Sequence, residues 1–182
     1  PQSNSGSGLG IYQEDVAIST YHVLVDEVPL KSAILHTELN FLDIAPSTPD
    51  LVGAEVELVS VIGRETRLKD AIEQVQDYYD FILLDCPPAL GLLTINALTA
   101  ASSVLIPLQC EYYALEGISQ LVKTISLIKK KLNPTLETEG ILLTMYDRRN
   151  NLTKGFDPIK TYRFQHVIKP GRYFGEGLFA SR

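Results

Sequence analysis

The run Phe81-Ile82-Leu83-Leu84-Asp85 is continuously apolar and closes on a carboxylate. A run of this kind predicts a parallel strand covered on both faces. In an open parallel sheet, ligands bind beyond the carboxyl ends of the strands, where loops diverge and helix N-termini present their N–H groups. A carboxylate held at that edge is a hard oxygen ligand of the kind a nucleotide-bound Mg2+ takes, usually through a coordinated water. A strand-end Asp can equally cap a neighbouring backbone amide, and the pentapeptide alone does not separate the two. The residues after it add to the first reading. Pro87-Pro88 fixes two φ angles near about −65° and removes two backbone donors, so the chain leaves the strand as a stiff loop. Gly91 then allows a close backbone approach. Such a loop beside a metal ligand could register a γ-phosphate, or it could be a plain connection.

Other chemistries find little support. His22, His36 and His166 have no spacing that makes a metal site. Cys86 has no obvious base, and no GxSxG elbow occurs. Cys86 and Cys110 are too few for a disulfide framework and sit in or beside apolar runs, so both are expected as reduced, buried thiols in a cytoplasmic protein. Lys129-Lys130-Lys131 ends a helical stretch, where cations favour the dipole.

The elements that must position Asp85 follow from periodicity. Ser19 can cap a short helix through Val25, and a second apolar helical turn runs from Leu30 to Leu35. Phe41-Leu42-Asp43-Ile44-Ala45-Pro46 alternates like a strand cut by a proline. Pro49 and Asp50 open a helix with Leu51, Ala54, Leu58 and Val59 on one face. Leu68, Ala71, Ile72 and Val75 mark another, ending near Tyr78 and Tyr79. Val104-Leu105-Ile106-Pro107-Leu108 and Ile141-Leu142-Leu143-Thr144-Met145 repeat the buried-strand pattern, with helical stretches from Leu93 to Ala101 and from Ala114 to Leu132 between the strands. Strand and helix alternate, which predicts an α/β fold with a parallel sheet flanked by helices.

The 182 residues are 45% hydrophobic and 21% charged, with a mean hydropathy of +0.06, enough for one sizeable core. The net charge of −6 argues against electrostatic nucleic-acid binding by the chain as a whole. That charge is uneven: residues 1–147 carry 8 basic and 20 acidic side chains, residues 148–182 carry 8 basic and 2 acidic. The last stretch also loses regular period, so the expected division is 1–154 and an irregular basic tail, 155–182. A noncatalytic DNA- or protein-binding module using Arg148, Arg149, Lys154, Lys160, Arg163, Lys169, Arg172 and Arg182 is one reading of the basic end 148–182, and a solvated tail is the other. No apolar stretch approaches the roughly 20 residues that span a bilayer, and no signal-peptide pattern opens the chain.

Asp85-Cys86-Pro87-Pro88-Ala89-Leu90-Gly91-Leu92-Leu93-Thr94-Ile95-Asn96-Ala97-Leu98 resembles the Walker B strand and switch region of the ParA/Soj partition ATPases, within the deviant Walker A group that includes MinD. Pro107-Leu108-Gln109-Cys110-Glu111-Tyr112-Tyr113-Ala114-Leu115-Glu116-Gly117, Leu132-Asn133-Pro134, Gly140-Ile141-Leu142-Leu143-Thr144-Met145-Tyr146-Asp147, Pro46-Ser47-Thr48-Pro49-Asp50-Leu51 and Ala54-Glu55-Val56-Glu57-Leu58 are similar to further family segments in the same order. The resemblance implies a P-loop NTPase-type fold that uses ATP and Mg2+. By it, Asp85 positions Mg2+, Pro87, Pro88 and Gly91 belong to the second switch, and Thr144, Met145 and Tyr146 edge the adenine. Residues 111–117 would lie near a homodimer face. Nonspecific DNA and a ParB-like centromere-binding protein are the implied partners, and no membrane is.

The same resemblance implies missing parts. Pro1-Gln2-Ser3-Asn4 is similar to the end of the family's Asp-Pro-Gln-Gly-Asn-Ala switch, which would put the hydrolytic Asp one position before Pro1 and the phosphate loop further upstream. No glycine-rich run followed by Lys-Thr occurs in these 182 residues, so no catalytic residue is assigned within them and the triphosphate has no amide cradle here. The expectation is a fragment with an incomplete sheet, exposed ladder edges and no ATP hydrolysis of its own. Residues 155–172 match the family poorly, while Tyr173-Phe174-Gly175-Glu176-Gly177-Leu178-Phe179 is similar to its approach to a later strand.

Overall fold

The computed structural model describes residues 4–87, 89–109, 114–144 and 167–168. Pro88, Cys110, Met145, Tyr146 and all of the 155–182 tail except Val167 and Ile168 lie outside the described residues. The chain divides into two compact units, Pro1–Ala101 and Ser102–Arg182.

The first unit is mostly helical. Helix α1 (Asn4–Gly8) occupies the glycine- and serine-rich opening that reads as a loop in sequence, and it closes where Gly10 takes φ +77°. Ser19 stands before α2 (Thr20–Val25), as its sequence position predicts. The Ser19 N–H donates to Nδ1 of His22 at 3.1 Å, which gives that histidine a capping task. The stretch after Pro29 is one 3-10 turn, Leu30–Ala33, and Leu35 passes into strand β1 (Leu35–His36) instead of continuing helical. It pairs antiparallel with β2 (Asp43–Ile44), matching Leu35 to Ile44 and His36 to Asp43.

Helix α3 (Leu51–Glu57) tightens into a 3-10 turn at Leu58–Ser60. That change corrects the expectation for Val59, which is 61% exposed. With three residues per turn, the buried face passes from Leu58 to Val61, and Val59 swings outward. Helix α4 (Arg67–Glu73) follows, then a 3-10 turn at Gln76–Tyr78 and helix α5 (Leu92–Ala100). Two apolar clusters hold these pieces. Val23, Leu30, Ala33, Ala71 and Val75 form one. Leu24, Leu51, Ala54 and Leu58 form the other, with Leu68, Leu92 and Leu93 packed against it.

In the second unit, β3 (Ser103–Gln109), β4 (Glu137–Thr144) and β5 (Val167–Ile168) form a three-stranded sheet in the order β3-β4-β5, parallel throughout. Helix α6 (Ala114–Lys131) runs between β3 and β4. It buries Ile118, Ile125 and Ile128, spaced along one helical stripe, and ends on three lysines. A bulge interrupts the ladder between Val104 and Leu105, where Gly140 supplies φ +153°. The architecture is α/β, as the alternation of patterns predicts. No helix among the described residues is long and apolar enough to cross a membrane.

Candidate functional site

The segment 81–87 has no regular secondary structure and belongs to no ladder among the described residues. This corrects the expectation of a strand covered on both faces: Phe81 is 70% and Leu83 80% exposed. Strand geometry needs a hydrogen-bonded neighbour as well as an apolar sequence, and none of the described strands is paired with this run. Asp85, near its end, is exposed. Cys86 is exposed too, contrary to the buried thiol expected, with Sγ 3.6 Å from the Leu84 carbonyl oxygen. Even so, the protein around the sulfur, and then the negative charge of Asp85, push the Cys86 thiol above its ordinary pKa.

Pro87 is half-buried, and the loop runs on through Ala89 and Leu90 to Gly91, the residue preceding α5. Two contacts tie this loop down. Thr94 Oγ1 donates to the Ala89 carbonyl at 2.6 Å. Glu55 Oε1, arriving from α3, accepts from the Leu93 N–H at 3.4 Å. A Cβ built on Gly91 would fall on that same carboxylate oxygen. The close approach that Gly91 permits is therefore to Glu55, with φ at an ordinary −87°. One turn further on, Asn96 is fully buried and anchors α5 to the start of α4.

As a magnesium site, these residues fit one arrangement and not another. Among the described residues, no group of three or more His, Cys, Asp or Glu side chains could enclose a metal. Asp85 can instead serve as a single hard oxygen ligand to an ion whose other ligands come from phosphate and water, which is how Mg2+ is commonly held. In the second unit, Thr144 is the half-buried last residue of β4, at the carboxyl end of a parallel strand.

Glu55, Thr94 and Asn96 carry no motif of their own in the sequence. The signal was present for two of them: Thr94 and Asn96 are polar residues inside an otherwise apolar helix, where a polar group must find a partner. Nothing local marks Glu55, because its partner lies 38 positions away.

The sequence profile of the AAA domain family matches residues 1–138. The chromosome partitioning protein ParA of Myxococcus xanthus is 58% identical over 152 residues, covering 84% of this chain and 54% of the relative. The sporulation initiation inhibitor protein Soj of Bacillus subtilis is 53% identical over 170 residues, covering 93% of this chain and 67% of Soj. The chain belongs to the ParA/Soj family of partition ATPases. It spans between about half and two thirds of the length of these relatives. The ParA/Soj chain is also similar in structure to the cobyrinic acid a,c-diamide synthase of Mycobacterium smegmatis with bound ADP and magnesium. The TM-score is 0.79 at 38% identity, over 85% of this chain and 62% of that one. A plasmid partition protein from Borrelia burgdorferi matches with a TM-score of 0.73 at 25% identity, over 92% and 71% of the two chains.

Proposed function

We propose that this chain supplies one side of a Mg2+-dependent ATP site of a ParA/Soj-type partitioning ATPase. Asp85 holds the metal side, and the loop carrying Pro87, Pro88 and Gly91 responds to the γ-phosphate. Thr144, Met145 and Tyr146 border the adenine. The observation that carries this reading is the exposed Asp85 carboxylate next to a loop pinned to the first turn of α5 by Thr94 and Glu55. Support comes from relatives that are chromosome partitioning proteins and from a structural neighbour with a bound ATP analogue and magnesium.

The 182 residues contain no glycine-rich Lys-Thr segment. In this reading these residues alone offer the triphosphate no amide cradle and release no phosphate. Homodimerisation, nonspecific DNA binding and stimulation by a ParB-like centromere-binding protein belong to the complete ATPase in this reading, which acts in the cytoplasm.

Paramagnetic Mn2+ added with ATP tests the metal assignment. It should broaden the amide resonances of Asp85 and Cys86 in the purified chain, and Asp85→Ala should abolish the effect. Equal broadening in wild type and variant would remove Asp85 from the site. Mg2+-dependent phosphate release by the purified chain would overturn the claim that it is catalytically silent.

A further inference from the structure

Helix α5 starts without a side chain of its own to receive its first amides, because its N-cap position is Gly91. The first-turn N–H groups of any helix lack intrahelical acceptors. Thr94, inside that turn, turns back to donate to the Ala89 carbonyl and is not available to them. The acceptor arrives from α3: Glu55 Oε1 lies 3.4 Å from the Leu93 nitrogen, and its Cδ lies 2.8 Å from where a Cβ on residue 91 would stand. An anion there also faces the positive end of the helix dipole.

The placement of Glu55 is not isolated. Its helix neighbours Leu51, Ala54 and Leu58 are buried in the cluster against which Leu92 and Leu93 pack, so apolar contacts hold α3 and the start of α5 together on either side of the carboxylate. The other acidic side chain on α3, Glu57, receives the Tyr21 hydroxyl at 2.9 Å, and Asp50 receives Thr48 Oγ1 at 3.2 Å.

We infer that Glu55 is a positioning residue for the junction 89–91: its carboxylate caps α5 from another element, and with the Thr94–Ala89 bond it fixes where the loop meets the helix. What the loop serves rests on the ATP-site reading above, whereas the latch itself does not. Its consequence is that a shift of α3 reaches the loop directly, through one side chain.

Amide hydrogen exchange on the complete 182-residue chain, without nucleotide, tests the latch. Glu55→Ala should speed exchange at Leu93 by about fivefold, the size expected for loss of an N-cap acceptor, with amides in α4 and α6 unchanged. Glu55→Gln keeps an acceptor oxygen and should restore most of the protection. Unchanged exchange at Leu93 in Glu55→Ala overturns the inference, as does loosening that α4 and α6 share or that Glu55→Gln fails to relieve. If Glu55→Ala does not fold, Gly91→Ala serves in its place, since the methyl group expels the carboxylate from its seat and should loosen Leu93 alone. A chain that protects Leu93 through Glu55 yet ignores Mn2+ with ATP would count against the ATP site and not against the latch.

Discussion

Asn96 Oδ1 accepts the backbone N–H of Leu68 at 3.1 Å, so helix α4 is capped by a side chain 28 positions further along the chain. The Asn96 amide nitrogen donates to the carbonyls of Arg64 at 2.8 Å and of Leu92 at 3.1 Å. Thr66, which occupies the N-cap position, is turned away and bonds the Gly63 carbonyl and Asp70 instead. Asn96→Leu should therefore destabilise the chain by about 1–3 kcal/mol, because it leaves a partly buried amide and a partly buried carbonyl without this partner. Thr66→Ala should change stability by only about 0.5 kcal/mol. Urea unfolding of the two variants checks the contrast.

Leu58 and Leu83 both sit in apolar surroundings in sequence, yet they are 1% and 80% exposed. Leu58→Ala removes packing from the middle of a cluster and should cost about 2–5 kcal/mol. Leu83→Ser in the isolated chain should cost no more than about 0.5 kcal/mol. Denaturation midpoints would show which leucine the fold depends on, and equal losses would mean that Leu83 is packed.

The hairpin of β1 and β2 is tied to the 76–79 turn through one carboxylate. Asp43 accepts from the Tyr79 hydroxyl at 2.7 Å and lies 2.6 Å from Nδ1 of His36. The Tyr79 hydrogen bond, and then the one with His36, lower the Asp43 pKa below 3.8. Its contribution to stability is thus full above that value and fades as pH falls through the depressed pKa. Tyr79 is raised above 10.0, first by the same hydrogen bond and then by burial, so its contribution is full below pH 10.0 and fades at higher pH. Thermal unfolding should give a plateau between these limits with a falling limb on each side. Asp43→Asn should flatten the acid limb, and an unaltered acid limb would contradict the assignment.

Glu27 follows α2 with φ +57° and pairs with Arg67 at 2.6 Å while remaining largely exposed. A left-handed L-residue costs roughly 1–2 kcal/mol. Glycine relieves that strain, but it adds unfolded-chain entropy of about 0.5–1 kcal/mol and takes the partner from Arg67, whose side chain is only 18% exposed, a loss of about 1–3 kcal/mol. Glu27→Gly should therefore be destabilising by about 1 kcal/mol. Glu27→Val, whose branched side chain tolerates this backbone poorly, should lose about 2 kcal/mol. Calorimetry of the pair would detect the difference.

The sequence is most legible where burial and period coincide. Leu51, Ala54 and Leu58 are buried, as the face predicted for that helix requires, and the two later apolar runs do pair as parallel strands. Legibility fails where a residue's state depends on a neighbour outside its own segment. The pattern of residues 81–85 describes what a strand would bury, but ladder pairing is not encoded in one segment, and Phe81 and Leu83 remain exposed. Val59 departs from the helical period because a 3-10 turn begins at Leu58. At the candidate site, the types of Asp85 and Gly91 pointed to a carboxylate edge and a close approach. That the close approach is to Glu55, and that Thr94 and Asn96 hold α5 in place, required contacts between distant elements.

Val23 and Leu24 are adjacent on α2 yet belong to different clusters, Val23 with Ala71 and Val75, Leu24 with Leu51 and Leu58. A helix of six residues thus acts as a shared wall between two rooms, and neither room can be vacated while the wall stands. Melting should consequently take both clusters in a single step, and a substitution that widens one of them will be felt by the other.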